Sequence, residues 1–328
     1  MLDFIMRLHD VGELEVIEFI KKLTSSLQNP DVKLGIGDDA SVLKNGTIIT
    51  TDAYFEDRHF SLDYFTLKDI GHKVTSATLS DIAAMAGKPI ALYVALLIPR
   101  FWNKKSLYLL YRGIKEVARK FNVTIGGGDL VGNSKLGIML TAIGKASCPK
   151  LRSSAQVGDY LYLTGYCGLS ETGRLALKNR LPRNIFRQAI RHHLKPLPRI
   201  DEALKLKNKI HALIDTSDGL STDAYHLAEE SKVKIKIYAE KLPIHPETLR
   251  LSKYLKVFAY SNATLNLALN GGEDYELLFS SPQKNLPSLI GRTKLTLIGK
   301  IEKGQGLYLV RNNREEAIAP RGYDQFRD

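Results

Sequence analysis

The stretch Leu34 to Val42, LGIGDDASV, constrains this chain most, because the residues after it decide between two architectures. Read as G-x-G-x-x-A, Gly35 to Ala40 matches the dinucleotide-binding pattern, but that pattern has to follow a strand and open a helix. Here Ser41 to Leu43, Asn45-Gly46 and Thr47 to Thr51 read as strand, tight turn and strand, since Asn-Gly is the strongest short hairpin signal. The dinucleotide reading fails. What remains is a glycine-lined turn ending in adjacent acids, Asp38 and Asp39. Glycine lets the backbone approach a ligand closely, and carboxylates hold a hard divalent cation through oxygen, which suits a metal-bound phosphate.

Acids beside glycines or at strand ends recur at Asp52 (TTD), Asp129 (GGGD), Asp215 and Asp218 (DTSDGL), and Glu273 and Asp274 (GGED). Asp81 joins them from a helix. Each alone is accounted for as a turn or cap residue; the repetition points to cation-assisted phosphate chemistry. No G-x-x-x-x-G-K-[ST], H-R-D or D-F-G sequence is present, so the scaffold is neither a P-loop nor a protein kinase. Nucleophilic-serine and zinc hydrolase patterns, G-x-S-x-G and H-E-x-x-H, are also missing. The histidines are scattered. His192-His193 on a basic helix is expected to be solvated, whereas His59 sits beside an acid-bearing strand end.

Strands alternate with helices, which argues for an α/β architecture. Glu13 to Leu27 carries apolar residues at helical spacing and is expected to pack one face. A strand is expected to end at Thr50-Thr51-Asp52, and another, Phe121 to Ile125, to end at the Gly126-Gly127-Gly128-Asp129 run. Ile90 to Ile98, fenced by prolines, reads as a buried strand far too short to span a bilayer. The helix Asp69 to Met85 is rich in small residues, which permits close backbone packing. Ala146 to Gly158, polar and holding Pro149 and three serines, is the best boundary, dividing the chain into residues 1–148 and 149–328.

With 328 residues the chain has room for about two domains. Its net charge of +12 raises nucleic-acid binding. The distribution argues against a specific nucleic-acid partner, since Lys232, Lys234 and Lys236 alternate with Val233, Ile235 and Ile237 as the solvent face of a strand. The denser Arg183 to Arg199 segment predicts only nonspecific attraction to polyanions. Cys148 and Cys167 lack C-x-x-C spacing, which gives no zinc ribbon and no disulfide framework. The first residues do not read as a secretory signal, so the expected location is cytoplasmic, with no membrane segment.

LGIGDDASV, TTDAYFEDRHF, LSDIAAMAGKP, IGGGDLVG, IDTSDGLSTD, GGEDYELLF and GYDQF occur in the order and approximate spacing of the thiamine-monophosphate kinase family, which the chain resembles from about Gly12 to Phe326. The resemblance implies the two-domain aminoimidazole-ribonucleotide-synthetase-like fold, with an N-terminal domain that pairs in a homodimer and a C-terminal α/β domain. It implies ATP-dependent phosphorylation of thiamine monophosphate to thiamine diphosphate, assisted by several Mg2+ ions. Carried over by motif, the magnesium ligands fall on Asp39, Thr50, Thr51, Asp52, Asp81, Asp129, Asp215 and Asp218, and the ATP contacts on Gly128, Asp129, Arg152 and Ser217. Substrate contacts fall on His59, Glu273 and Tyr323. Asp52, Asp129 and Asp218 are the expected catalytic acids. The segment AMAGKP departs from the commoner AMGA-x-P at the helix end after Asp81. From its chemistry alone Tyr323 reads first as a C-terminal packing residue.

Overall fold

The structure, a computed structural model, describes residues 7–255 and 262–326. Its earlier half contains α1 (Leu8–Val11), α2 (Glu13–Leu23), β1 (Val32–Leu34), β2 (Ser41–Leu43), β3 (Thr47–Phe55), α3 (Leu67–Ala84), β4 (Lys88–Pro99), α4 (Lys104–Lys120), β5 (Thr124–Asn133) and β6 (Gly137–Lys145). The Asn45-Gly46 hairpin forms as its sequence requires. Gly46 sits at φ +82°, and Asn45 Oδ1 accepts from the Thr47 N–H at 2.9 Å. The sheet order is β1-β2-β3-β6-β4-β5, antiparallel except for the parallel β4/β5 pair that α4 connects.

The later half contains β7 (Tyr160–Thr164), α5 (Leu169–Lys178), α6 (Arg187–Leu194), α7 (Ile200–Leu206), β8 (Leu213–Asp215), α8 (Leu220–Ser231), β9 (Lys234–Tyr238), α9 (Pro246–Tyr254), α10 (Ala263–Asn270), β10 (Leu277–Ser281), β11 (Leu289–Ile290), β12 (Thr293–Glu302), β13 (Gly306–Arg311) and β14 (Arg314–Ala317). Its sheet runs β14-β13-β9-β12-β7-β10-β8, with β11 beside β12. α9, α10, β13 and β14 were not legible as separate elements.

α3 is the piece that both halves share. Thr66 and Asp69 close a capping box at its start, and nearly its whole circumference is buried against α4, β3 and β6 on one side and α6, α7 and β8 on the other. Close approach to α4 needs glycine on both helices. A Cβ at Gly71 would lie 2.1 Å from Leu110 O, and one at Gly113 would lie 2.0 Å from Lys68 O. The small-residue reading of this helix therefore holds. One hydrophobic core runs from β2 through α3 to Ile200, Leu213, Tyr275 and Phe279, so it is continuous between the halves.

Several expectations need correction. α2 stops at Leu23 rather than Leu27 and buries none of its residues, so its apolar stripe is uncovered. β4 alternates instead of being buried on both faces, with Ile90 and Tyr93 exposed. β3 continues past Asp52 to Phe55. The Gly126 to Asp129 run lies inside β5 rather than ending a strand, because Gly126 is the extra residue of a bulge between Leu92 and Tyr93 of the partner strand. Gly128 then passes so close to β4 that a Cβ would meet Val94 O at 1.8 Å. His193 is buried rather than solvated, and His192 is largely so.

Candidate active site

Four chain segments deliver carboxylates to one place. The glycine turn between β1 and β2 supplies Asp39, β3 supplies Asp52, the end of α3 supplies Asp81, and the end of β8 supplies Asp215. Oxygens of Asp39, Asp81 and Asp215 all lie within 4.8 Å of one another. Alternation along β3 puts Thr50, Asp52 and Tyr54 on the inner face. Thr50 Oγ1 donates to Asp81 Oδ2 at 2.5 Å, Tyr54 OH donates to Asp52 Oδ2 at 2.8 Å, and Ser80 Oγ donates to Asp215 Oδ2 at 2.6 Å. Asp52, Asp81 and Asp215 are thus each oriented by a hydroxyl.

Crowded acids out of water resist ionisation. Burial, and then the Asp39 charge, push Asp215 up to about 8 and Asp38 up to about 7. Burial followed by Glu13 raises Asp218 to about 7. Asp81 is held well above the ordinary carboxylate range by burial and by its neighbours Asp52, Asp215 and Asp39. The compensating charge within the chain is Arg152. Its Nε and Nη2 both donate to the Asp39 carboxylate, whose side chain is 1% exposed, and its backbone N–H donates to Asp38 Oδ2 at 3.1 Å. Three close carboxylates with a threonine hydroxyl, all oxygen donors, fit a hard divalent cation such as magnesium.

Asp52 and Asp81 open into a cavity of about 1330 Å³ whose wall also includes Ser217, Asp218, His59, Glu273 and Tyr323. His59 Nδ1 accepts from the Phe55 N–H at 3.0 Å, so its proton sits on Nε2, and burial keeps the ring below its usual pKa. The GGEDYE loop is tied to the DTSD loop by backbone. Glu273 N–H donates to Ser217 O at 2.7 Å, and Tyr275 N–H donates to Thr216 O at 2.8 Å. Glu273 and Tyr275 adopt φ of +65° and +50° to make this path.

Three sequence-derived positions do not join this cluster. Thr51 points to the opposite face of β3 and meets Thr141 Oγ1 at 3.1 Å. Asp129, with Gly128, lies on the exposed edge strand β5, three strand spacings or about 14 Å from β3, and neither lines the cavity. Sequence reasoning in turn missed Lys73 and His193. Lys73 Nζ, 2% exposed, lies 2.7 Å from Glu273 Oε1 in an ion pair without straight hydrogen-bond geometry. His193 Nδ1 lies 3.5 Å from Glu273 Oε2. The available signal for Lys73 was a lysine at the start of the small and apolar run Val74 to Leu79.

Residues 37–146 match the family model "AIR synthase related protein, N-terminal domain". The thiamine-monophosphate kinase of Aquifex aeolicus is 32% identical over 328 residues, covering 98% of this chain and all of the relative. The chain belongs to the thiamine-monophosphate kinase family. Among solved structures, "AaThiL complexed with AMPPCP and TMP" superposes with a TM-score of 0.87 at 30% identity, covering 98% of this chain and 99% of that one. E. coli HypE, a hydrogenase maturation protein, matches with a TM-score of 0.66 at 18% identity over 94% of this chain and 98% of its own, a likeness in fold alone. The fold is the aminoimidazole-ribonucleotide-synthetase-like one expected. Most of the motif positions on which the resemblance rests therefore meet at the acid cluster or on the wall of the adjoining cavity, and Thr51, Gly128 and Asp129 stand apart.

Proposed function

We propose that this chain transfers the γ-phosphate of ATP directly to thiamine monophosphate, giving thiamine diphosphate and ADP, with more than one Mg2+ ion bound. The observation that carries the reading is one cavity with buried carboxylates at one end and Glu273, His59 and Tyr323 on its wall. The acceptor is a phosphate oxygen already ionised near neutral pH, so no general base is required. Positioning and charge neutralisation then dominate. When bound, magnesium supplies positive charge to the phosphate oxygens beside Asp39, Asp81 and Asp215. Arg152 and Ser217 are assigned to ATP, and Asp218 and Asp52 to the metal-bearing side. Glu273 and the ring of Tyr323 face the cationic thiazolium, for which a carboxylate and an aromatic face are suitable partners.

Residues 1–148 and 149–328 are the two domains of this reading, and a cytoplasmic homodimer is its assembly. Among the described residues no helix is long and apolar enough to cross a membrane. The open face of the first sheet exposes Phe55, Tyr93 and Val131, apolar side chains of the kind a second copy covers. In such a pair Gly128 and Asp129 serve the partner's nucleotide site, which accounts for their distance from their own. The deciding assay offers ATP and magnesium with thiamine monophosphate, free thiamine and other phosphate acceptors. Thiamine diphosphate should form from the monophosphate alone; comparable turnover of free thiamine refutes the assignment.

A further inference from the structure

α2 begins without a side-chain cap of its own. Its N-cap is Gly12, which has no side chain to accept from the first-turn N–H groups, and such groups need an acceptor. The acceptor comes from the other end of the chain. Both carboxylate oxygens of Asp324 lie 3.2 Å from the Glu13 N–H. The exchange is reciprocal, because the Gln325 N–H donates to Glu13 Oε2 at 3.1 Å. This is the logic of a capping box closed across 311 residues instead of three.

The segment that supplies this cap is anchored at its near end too. Tyr323 N–H donates to Asp218 O at 2.9 Å, and Gly322 N–H donates to Thr222 Oγ1 at 3.0 Å. Tyr323 therefore sits between an anchor on the Asp218 loop and an anchor on α2. Its ring, 40% exposed, lines the cavity with the Arg58 guanidinium 5.2 Å from the ring centroid. Arg58 Nη2 also donates to the backbone carbonyl of Gln325.

We propose that Asp324 and Glu13 are positioning residues for Tyr323: their reciprocal hydrogen bonds pin the C-terminal strap so that the tyrosine ring is preset as a wall of the acceptor side of the cavity. The inference rests on the acceptor-side reading of Tyr323 above. A ring held at both ends of its segment is ordered before substrate arrives, so binding does not have to supply that ordering. Release of the α2 end removes the anchor beyond the ring and leaves the strap held from the Asp218–Thr222 side and by Arg58 and His59. The effect should fall on thiamine monophosphate and spare ATP.

The test measures kcat, the KM for each substrate, and Tm for Asp324→Ala, Asp324→Asn, Tyr323→Ala and the double alanine variant. Asp324→Ala should raise the KM for thiamine monophosphate roughly five-fold, the loss expected of a cap, with the KM for ATP within about two-fold. Asp324→Asn keeps a side-chain carbonyl oxygen and should recover at least half of that loss. In the Tyr323→Ala background, Asp324→Ala should add nothing. Equal rises in both KM values, independent losses in the double variant, or no change in Asp324→Ala overturn the proposal. If Tyr323→Ala leaves the KM for thiamine monophosphate unchanged, the acceptor-side reading of Tyr323 falls and takes this inference with it. If Tyr323→Ala raises that KM and Asp324→Ala does not, the reading of Tyr323 stands and the positioning role alone is wrong.

Discussion

Replacing Arg152 by Met should convert the acid cluster from a compensated site into one that depends on protons or metal. In the structure Arg152 donates to Asp39 and Asp38 and lowers the pKa of both Asp38 and Asp215, against the burial that raises them. Removing one partner of a buried ion pair costs about 3–5 kcal/mol, because the other charge is left uncompensated. For a chain of 328 residues a loss of about 3 kcal/mol lowers Tm by roughly 4 °C. The cost should depend on pH. The raised acids, Asp38 to about 7 and Asp215 to about 8, make the native chain hold more protons than the unfolded one from about pH 4 upward. Native stability in the absence of metal therefore falls as pH rises through that window. Without Arg152 these pKa values move higher still, so each carboxylate kept protonated contributes about 1.4 kcal/mol of lost stability per pH unit over a wider range. Magnesium should reverse the loss, since a cation at 100 times its Kd stabilises by about 2.7 kcal/mol, and Arg152 no longer competes for Asp39. The assay is thermal denaturation of wild type and Arg152→Met at pH 6 and pH 8, each with chelator or with magnesium. An equal loss at both pH values, together with equal magnesium stabilisation of the two proteins, would refute this account of the cluster.

Three further outcomes are expected. Asp81→Asn and Asp129→Asn should each abolish thiamine diphosphate formation, yet refolding them together should restore about a quarter of wild-type activity, because a two-fold dimer then contains one intact site in half of its molecules; no recovery on mixing places Asp129 outside a shared site. Val131→Asp on the open sheet face should shift the protein to monomer in analytical ultracentrifugation without lowering helix content, and an unchanged sedimentation coefficient removes that face as the interface. Gly113→Ala should destabilise by more than about 2 kcal/mol in urea denaturation, because the added methyl meets Lys68 O and His72 N at 2.0 and 2.6 Å; a smaller effect means α3 and α4 can part.

The sequence carried the hairpin at Asn45-Gly46, the acids, and the order of most strands and helices, because these follow from local turn chemistry and periodicity. What it hid is long-range. Asp39 and Arg152 are 113 residues apart, so nothing local marks Arg152 as the counter-charge of the glycine turn. The same holds for Lys73 with Glu273, and for Asp324 with Glu13. The glycine run before Asp129 misled for a local reason: three consecutive glycines read as a terminator, whereas a bulge lets the edge strand run through them. α2 misled because an apolar stripe predicts that something covers a helix without saying what does.

α3 also bears on how the chain is made. Its covering surfaces on one side come from α6, α7 and β8, residues that follow it by more than 100 positions. At about 5–20 residues per second of synthesis, the nascent chain keeps that side of α3 open for roughly 5–25 seconds. During this interval the first sheet can pair, but the seat for Asp81 beside Asp215 does not exist. The crowding of Asp215 against Asp39 and Asp81 thus arises only when the later half encloses α3, so this part of the acid cluster is completed by the docking of the two halves.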